Sequence, residues 1–300
     1  MEKHLRDFCL KHRITALWNA PLADYTSFRI GGPADAFLLP DTENAFLSLL
    51  SFLKNHEIPF RVIGNGTNLL FSDDGFRGAI VSTRHMRKVS VLGENVRAAA
   101  GVPVGILCRL LADHSLGGLA SLYGIPGTVG GAVVMNAGAY DATISDHLTY
   151  VSVFRAKDAT VQTLPRADIC FSYRNSSLRK EPGTVVLSAE FSFFHEDNEK
   201  TREKMRQIIS KRMQTQPTAL PCAGSAFLKP EDGYAAAWIE KAGLSGLRVG
   251  GAAVSVKHSG FIVNLGGATA ADVRSLMEKI QNEVYTRFGV RLHPEIEYIG

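Results

Sequence analysis

Two glycine-rich segments carry the first chemical signal in the sequence. Gly64-Asn65-Gly66-Thr67-Asn68-Leu69-Leu70 follows directly on the apolar run Phe60-Arg61-Val62-Ile63, and a second stretch runs from Gly124-Ile125-Pro126-Gly127-Thr128-Val129-Gly130-Gly131-Ala132 to Asn136-Ala137-Gly138-Ala139-Tyr140. Residues without side chains let a backbone approach a ligand closely, and successive N–H groups can form a nest for an anion. Asn65, Thr67 and Asn68 add neutral hydrogen-bonding groups to the first loop. The second can lie along a diphosphate and a flat ring, donating N–H bonds while its Val and Ile side chains cover apolar surface. Each segment alone is also compatible with a tight turn or a close-packed loop. Together they favour a large ligand with an internal diphosphate, such as FAD. The Rossmann fingerprint itself fails, because Leu69 stands where its third glycine belongs.

Other chemistries find less support. Ser177-Leu178-Arg179-Lys180 fits the short S-x-x-K pattern, but its partner motifs are missing. There is no P-loop and no H-E-x-x-H. The 9 histidines are scattered, so no metal is expected. Cys9, Cys108, Cys170 and Cys222 lie far apart, which argues against a disulfide framework and suits a reducing compartment. Lys and Arg total 33 against 29 Asp and Glu, so the formal charge of +4 admits an anionic ligand but lacks the dense basic face of a nucleic-acid binder. No apolar run approaches the roughly 18 residues of a membrane helix. The charged start, Met1-Glu2-Lys3-His4-Leu5-Arg6-Asp7, has no signal-peptide core. A cytoplasmic protein without membrane or nucleic-acid partners is expected.

The elements that must position these loops follow from periodicity. The 300 residues, 45% hydrophobic and 21% charged, suit two domains, possibly three. A short helix is expected over Leu5, Phe8 and Cys9, and a second after Asp41 or Thr42 with Phe46, Leu49, Leu50 and Leu53 on one face. Short strands are expected at 60–63, 79–82, 89–91 and 96–100, and a helix over Ile106, Leu110 and Leu111 after Pro103. A hairpin spans Leu148 to Leu164. A strand spans Val185 to Phe193, with Leu187, Ala189, Phe191 and Phe193 alternating with polar residues. A charged break at 195–200 precedes a helix bearing Met205, Ile208, Ile209 and Met213. Beyond it the pattern reads helix (234–242), strand (252–256), strand (260–265), helix (269–288) and strand (291–299). The long helix opens on a capping-box-like Thr269 and Asp272.

Several of these segments, in the same order and spacing, are similar to one family. They are Thr26-Ser27-Phe28-Arg29-Ile30-Gly31-Gly32-Pro33-Ala34-Asp35, the two glycine stretches, Phe171-Ser172-Tyr173-Arg174-Asn175-Ser176, Gly224-Ser225-Ala226-Phe227 and His293-Pro294-Glu295-Ile296. From about Tyr25 to Gly300 the chain resembles the UDP-N-acetylenolpyruvoylglucosamine reductases, flavoenzymes of bacterial cell-wall precursor synthesis. The resemblance is to their shorter-loop type. It implies an α+β protein with a lead-in at 1–24. Residues 25–197 would form an FAD-binding domain of the PCMH or vanillyl-alcohol-oxidase type, in two subdomains split near 85–100. Residues 198–300 would form a substrate-binding domain. It also implies non-covalent FAD, NADPH as hydride donor, a UDP-sugar enolpyruvate as substrate and a monomeric enzyme. Hydride would pass from NADPH to flavin N5 and then to the enolpyruvyl β-carbon.

The same resemblance assigns residues. Gly64, Asn65, Gly66, Thr67, Asn68, Leu69, Gly124, Ile125, Gly127, Thr128, Gly130, Gly131 and Ala132 would hold FAD. Arg174 would stabilise the substrate carboxylate, a role suited to its planar, permanently charged fork. Ser225 would protonate the α-carbon, and Glu295 would be the catalytic glutamate. In the expected last strand, Glu295 and Glu297 would share a face. Tyr173, Gln216, Lys229 and Asn264 would lie near substrate, and Lys257 or His258 could touch a phosphate. Two departures from the family pattern occur at Phe227-Leu228-Lys229-Pro230, where an amide is replaced by Lys229, and at Ala120, where an acidic residue is common. Two other readings remain at this level. One is an oxidase on the same flavin fold, although no histidine for covalent flavin lies in 64–70 or 124–138. The other is a non-catalytic nucleotide-binding protein.

Overall fold

The computed structural model describes residues 2–300, which divide into two units. The first runs up to Trp18 and resumes over Ala36–Asn65 and Gly78–Ser210. The second combines Asn19–Asp35 and Gly66–Arg77 with Lys211–Gly300. The expected boundaries were continuous in sequence, with a change at 197/198. The observed division interleaves the segments and falls inside a helix, because it follows packing between distant segments.

The first unit holds two cores. One gathers helix α1 (Glu2–Lys11), helix α2 (Glu43–Asn55) and a four-stranded sheet. The sheet order is Thr15–Pro21, Pro33–Leu39, Phe76–Ser82, Phe60–Ile63. The last two strands run parallel, with Ile63 opposite Ser82. Thr42 caps α2, its hydroxyl accepting from the Ala45 N–H at 3.1 Å. Phe46, Leu49, Leu50 and Leu53 recur at helical spacing and are fully buried. Each such burial contributes about 1.5–3 kcal/mol. Phe60 and Val62 of the strand that leads into Gly64 pack against the same core.

The other core of this unit lies on a five-stranded antiparallel sheet ordered Thr160–Pro165, Leu148–Arg155, Thr184–Ser192, Asn95–Ala99, Val89–Leu92. Helices α3 (Val104–Asp113) and α4 (Val129–Val134) pack their Leu107, Leu111, Val129 and Val133 into it. Met86 belongs to the first core and Val96 to the second. The strand Thr184–Ser192 departs from simple alternation. Ser152 pairs with Ser188 but Val153 with Val186, so Leu187 is the extra residue of a bulge. Leu187 joins the first core while Ala189 and Phe191 join the second.

The second unit is built on an antiparallel sheet ordered Cys222–Ser225, Phe261–Asn264, Ala252–Val254, Arg248–Val249. After α5 (Ser177–Lys180) and α6 (Asn198–Thr215), both earlier in the chain, come α7 (Ala235–Lys241) and α8 (Ala270–Phe288), which cover this sheet. Thr269 and Asp272 form the capping box of α8, and Gly289 ends it with φ of 70°. Phe28, Ile30 and Leu70 lie in the same core as Val273, Leu276 and Ile280. The strand Leu69–Phe71 pairs in parallel with Glu297–Ile299. The expected last strand was 291–299, but only its final residues pair as a strand. Pro294 has no N–H to give a ladder, and it makes only an isolated bridge to Phe227.

Candidate active site

In the first unit the start of the first glycine segment, Gly64-Asn65, meets the second segment. The Asn65 side chain donates to the Pro126 carbonyl at 2.7 Å. Thr128 lies against Gly64 so closely that a Cβ at 64 would fall 2.3 Å from the Thr128 hydroxyl oxygen. Val129 and Gly130 hang from the preceding segment by N–H bonds to the carbonyls of Val102 and Ala100, at 2.8 and 2.9 Å. Gly130 sits where a side chain would press to 2.8 Å from the Ala100 Cβ. Arg84 donates to the Asn65 carbonyl at 3.3 Å, bringing a guanidinium to the loop. The Rossmann expectation of no helix after the loop holds, since Leu69–Phe71 is a strand.

This arrangement fits a flavin dinucleotide on its own terms. Thr128 is 1% exposed, yet its hydroxyl has no partner among the described residues. The backbone N–H groups of Gly64 and Asn65, in the same unit, likewise donate to no protein acceptor among the described residues. A buried orphan hydroxyl beside uncommitted amides costs stability unless a ligand completes it.

Tyr173 and Arg174 occupy the tip of a hairpin formed by Phe171–Ser172 and Asn175–Ser176. Arg174 has a left-handed backbone with φ of 52°, and its guanidinium lies 5.1 Å from the Tyr173 ring centre. Two bonds from the α4 segment reach the hairpin: the Asn136 amide donates to the Ser172 carbonyl, and the Ser176 hydroxyl to the Val134 carbonyl. Asn136 stands inside the second glycine stretch, but no role was attached to it in the sequence. Its left-handed φ of 44° is a signal that a pattern of glycines does not reveal.

In the second unit, Ser225 and Glu295 are set by the same piece of backbone. Ser225 ends its strand just after Gly224, whose φ is 79°, and the pairing to Phe261–Asn264 is irregular across that step. The next residue, Ala226, donates to the Gly260 carbonyl and accepts from the Glu295 N–H, at 2.8 and 2.9 Å. Leu228 donates to the His293 carbonyl at 2.8 Å. Asn68 closes the other side: its amide donates to the Glu295 carbonyl at 2.9 Å, and its own carbonyl accepts from Glu297. The Asn68 side chain is therefore used to hold Glu295. Glu295 also precedes the strand that contains Glu297, so the two do not lie on one strand.

The outlying candidates separate by what their side chains already do. Asn264, expected beside substrate, is buried: it donates to the carbonyls of Phe28 and Arg29 and accepts from the N–H groups of Gly266 and Ala268. It ties the segment before Gly31 to the sheet. Gln216 accepts from Arg212 at 3.2 Å. Lys229 is exposed with its ammonium 5.0 Å from the Tyr234 ring centre, and Lys257 donates to the Met213 carbonyl. Burial pulls the His258 imidazole below its usual pKa, and its Nδ1 accepts from the Gly260 N–H at 3.2 Å. Burial pushes the Cys222 thiol up.

Residues 34–164 match the family model described as FAD binding domain. Residues 216–299 match that of the UDP-N-acetylenolpyruvoylglucosamine reductase C-terminal domain. With the cradle described above, the chain is an FAD-binding oxidoreductase of α+β architecture. A berberine bridge enzyme variant, 12% identical over 65% of this chain and 44% of its own, superposes with a TM-score of 0.51, which shows a shared fold alone. Much greater likeness runs the whole length of the chain. The UDP-N-acetylenolpyruvoylglucosamine reductase of Caldanaerobacter subterraneus subsp. tengcongensis is 42% identical over 94% of this chain and 93% of its own. That of Clostridium botulinum is 40% identical over 95% and 92%. The crystal structure of the Thermus caldophilus enzyme, 33% identical, covers 96% of this chain and 99% of its own with a TM-score of 0.81. The chain belongs to the UDP-N-acetylenolpyruvoylglucosamine reductase family.

Proposed function

We propose that this protein reduces the enolpyruvyl ether of UDP-N-acetylglucosamine enolpyruvate to UDP-N-acetylmuramate, with NADPH as the electron source, in peptidoglycan precursor synthesis. The observation that carries this reading is the full-length likeness to reductases of that name, which matches both the flavin-binding and the C-terminal parts. Bound FAD supplies a two-electron relay between NADPH and the substrate. The residues that would hold it are Gly64, Asn65, Gly66, Thr67, Gly124, Ile125, Gly127, Thr128, Gly130, Gly131 and Ala132, with backbone donors and the Thr128 hydroxyl along the diphosphate. Asn68 and Leu69 act one step away, on the backbone beside Glu295.

The remaining chemistry falls to side chains. Reduction at the β-carbon of an enolpyruvyl group places negative charge on the α-carbon and its carboxylate. Arg174 neutralises that charge in a bidentate contact, which lowers the barrier most where charge develops. Ser225 delivers the proton to the α-carbon. A serine hydroxyl is a weak acid, and Glu295, fixed to the same backbone at Ala226, is the group that assists it. Tyr173 and Lys229 offer a ring and a cation to the rest of the substrate. Among the described residues no helix is long and apolar enough to cross a membrane. We place the enzyme in the cytoplasm as a monomer.

An anaerobic absorbance titration tests the whole reading. The purified protein is expected to show an oxidised flavin spectrum that bleaches with NADPH and recovers with UDP-N-acetylglucosamine enolpyruvate. A colourless protein, or bleaching with no recovery, would reject it.

A further inference from the structure

The hairpin that carries Arg174 is too small to hold its own shape. Its ladder has two residue pairs, Phe171 with Ser176 and Ser172 with Asn175. An isolated hairpin even longer than this is marginal in water. Its base is closed by the Ser177 N–H to the Cys170 carbonyl at 2.9 Å and the Cys170 N–H to the Ser177 hydroxyl at 3.2 Å. Above the base, each arm receives one strut from the end of α4. Asn136 reaches the first arm, its amide donating to the Ser172 carbonyl at 3.0 Å. Ser176, on the second arm, donates to the Val134 carbonyl at 2.7 Å. These struts flank the two residues of the tip, Tyr173 and Arg174.

The other end of α4 is the flavin cradle. Thr128 precedes the helix, and Gly130 and Gly131 form its first turn. At 1.5 Å per residue, a helix of this size separates cradle and struts by only about 9 Å. Asn136 also shows signs of a task other than packing. It is 7% exposed and has a left-handed backbone, and its side-chain oxygen has no partner among the described residues. A buried acceptor left unmet is uncommon in a folded protein and calls for an explanation.

We propose that Asn136 and Ser176 are positioning residues for Arg174, and that α4 is the rigid spacer that sets the guanidinium relative to the flavin. This inference rests on the role given to Arg174 above. Neither residue touches the reacting atoms in this scheme. Both act by fixing the hairpin tip.

The test uses FAD-loaded enzyme and separates the two half-reactions by rapid-mixing absorbance. Asn136→Ala and Ser176→Ala are expected to keep their flavin and to bleach with NADPH within about 3-fold of the parent. Recovery of colour with substrate should slow by roughly 10-fold or more in each. In an Arg174→Lys background, which already lacks the correct fork, either change should slow recovery by less than about 3-fold further, because the groups act as a unit. Unchanged recovery in both single variants, with Arg174→Lys impaired, would overturn the positioning role alone. Full additivity with Arg174→Lys would do the same, as would equal loss in both half-reactions. Normal recovery in Arg174→Lys would overturn the assignment of Arg174 and this inference with it. Should Asn136→Ala lose its flavin on purification, Ser176→Ala, which deletes one hydroxyl, decides the matter by the same readings.

Discussion

Gly64 leaves no room for even one methyl group. A Cβ there would meet the Thr128 hydroxyl oxygen at 2.3 Å, inside the cradle. Gly64→Ala is expected to fold but to lose flavin, visible as a fall in the ratio of visible to ultraviolet absorbance after gel filtration. Ser225→Ala should leave bleaching by NADPH within a few-fold and slow the substrate-driven recovery by about 10²–10⁴, the usual worth of a positioned acid. Equal loss in both halves would exclude that role. Asn264→Ala should act on stability, since it leaves four backbone groups, two of them in buried bonds, without their partner. A loss of about 2–4 kcal/mol in urea unfolding is expected, summing the roughly 1 kcal/mol of a typical hydrogen bond. The thiols sort by burial as well. Cys9 is pushed up to about 11 and Cys108 to about 12, whereas Cys170 is exposed. Alkylation of the folded protein at pH 8 should therefore label Cys170 first and spare Cys9 and Cys108, as peptide mapping would show.

At the scale of elements, α8 is held at its start by carboxylates from two places. Asp73 accepts from the N–H groups of Ala270 and Ala271, and Asp272 from those of Thr269 and Gly251. The Thr269 and Gly251 bonds hold the Asp272 carboxyl below the usual 3.8. A depressed folded value means the contribution is fully present above the unfolded value and is lost as pH falls through the folded one. Asp272→Ala should thus destabilise at pH 7, and the gap from the parent should close as unfolding is measured at pH values below 3.8. A gap that stays constant to low pH would mean that the charge is not what matters. The helices themselves were legible: the Thr42 cap, the Thr269 and Asp272 box and the buried faces of α2 and α8 are local patterns. The bulge at Leu187 and the short last strand were not. One depends on the register of a partner strand, the other on where Pro294 meets Phe227.

For the molecule as a whole, a ligand that binds only the folded state adds stability by mass action. Saturating FAD should raise the thermal midpoint of flavin-depleted protein, with about 2.7 kcal/mol expected at 100 times the dissociation constant. Gly64→Ala should show little of this shift. The interleaving of Asn19–Asp35 and Gly66–Arg77 with Lys211–Gly300 also has a consequence for cutting the chain. A fragment limited to residues 211–300 would lack Phe28, Ile30 and Leu70 from its core and the strand partner of Glu297–Ile299. Such a fragment is expected to be unfolded by circular dichroism, despite its neat sequence boundary.

Short-range order in the chain was enough to locate the capped helices and to mark the glycine segments, and likeness to a family pointed to the arginine, serine and glutamate of the proposed site. Those features are written in residue type and spacing, which physics reads within a turn or two of backbone. What only the folded chain decided is which distant groups share a hydrogen bond. The Asn264 amide donates to the carbonyls of Phe28 and Arg29, and the Asn68 amide to that of Glu295, pairings between residues more than two hundred positions apart. A polar side chain has few bonds to give, and only tertiary packing determines which partner arrives first.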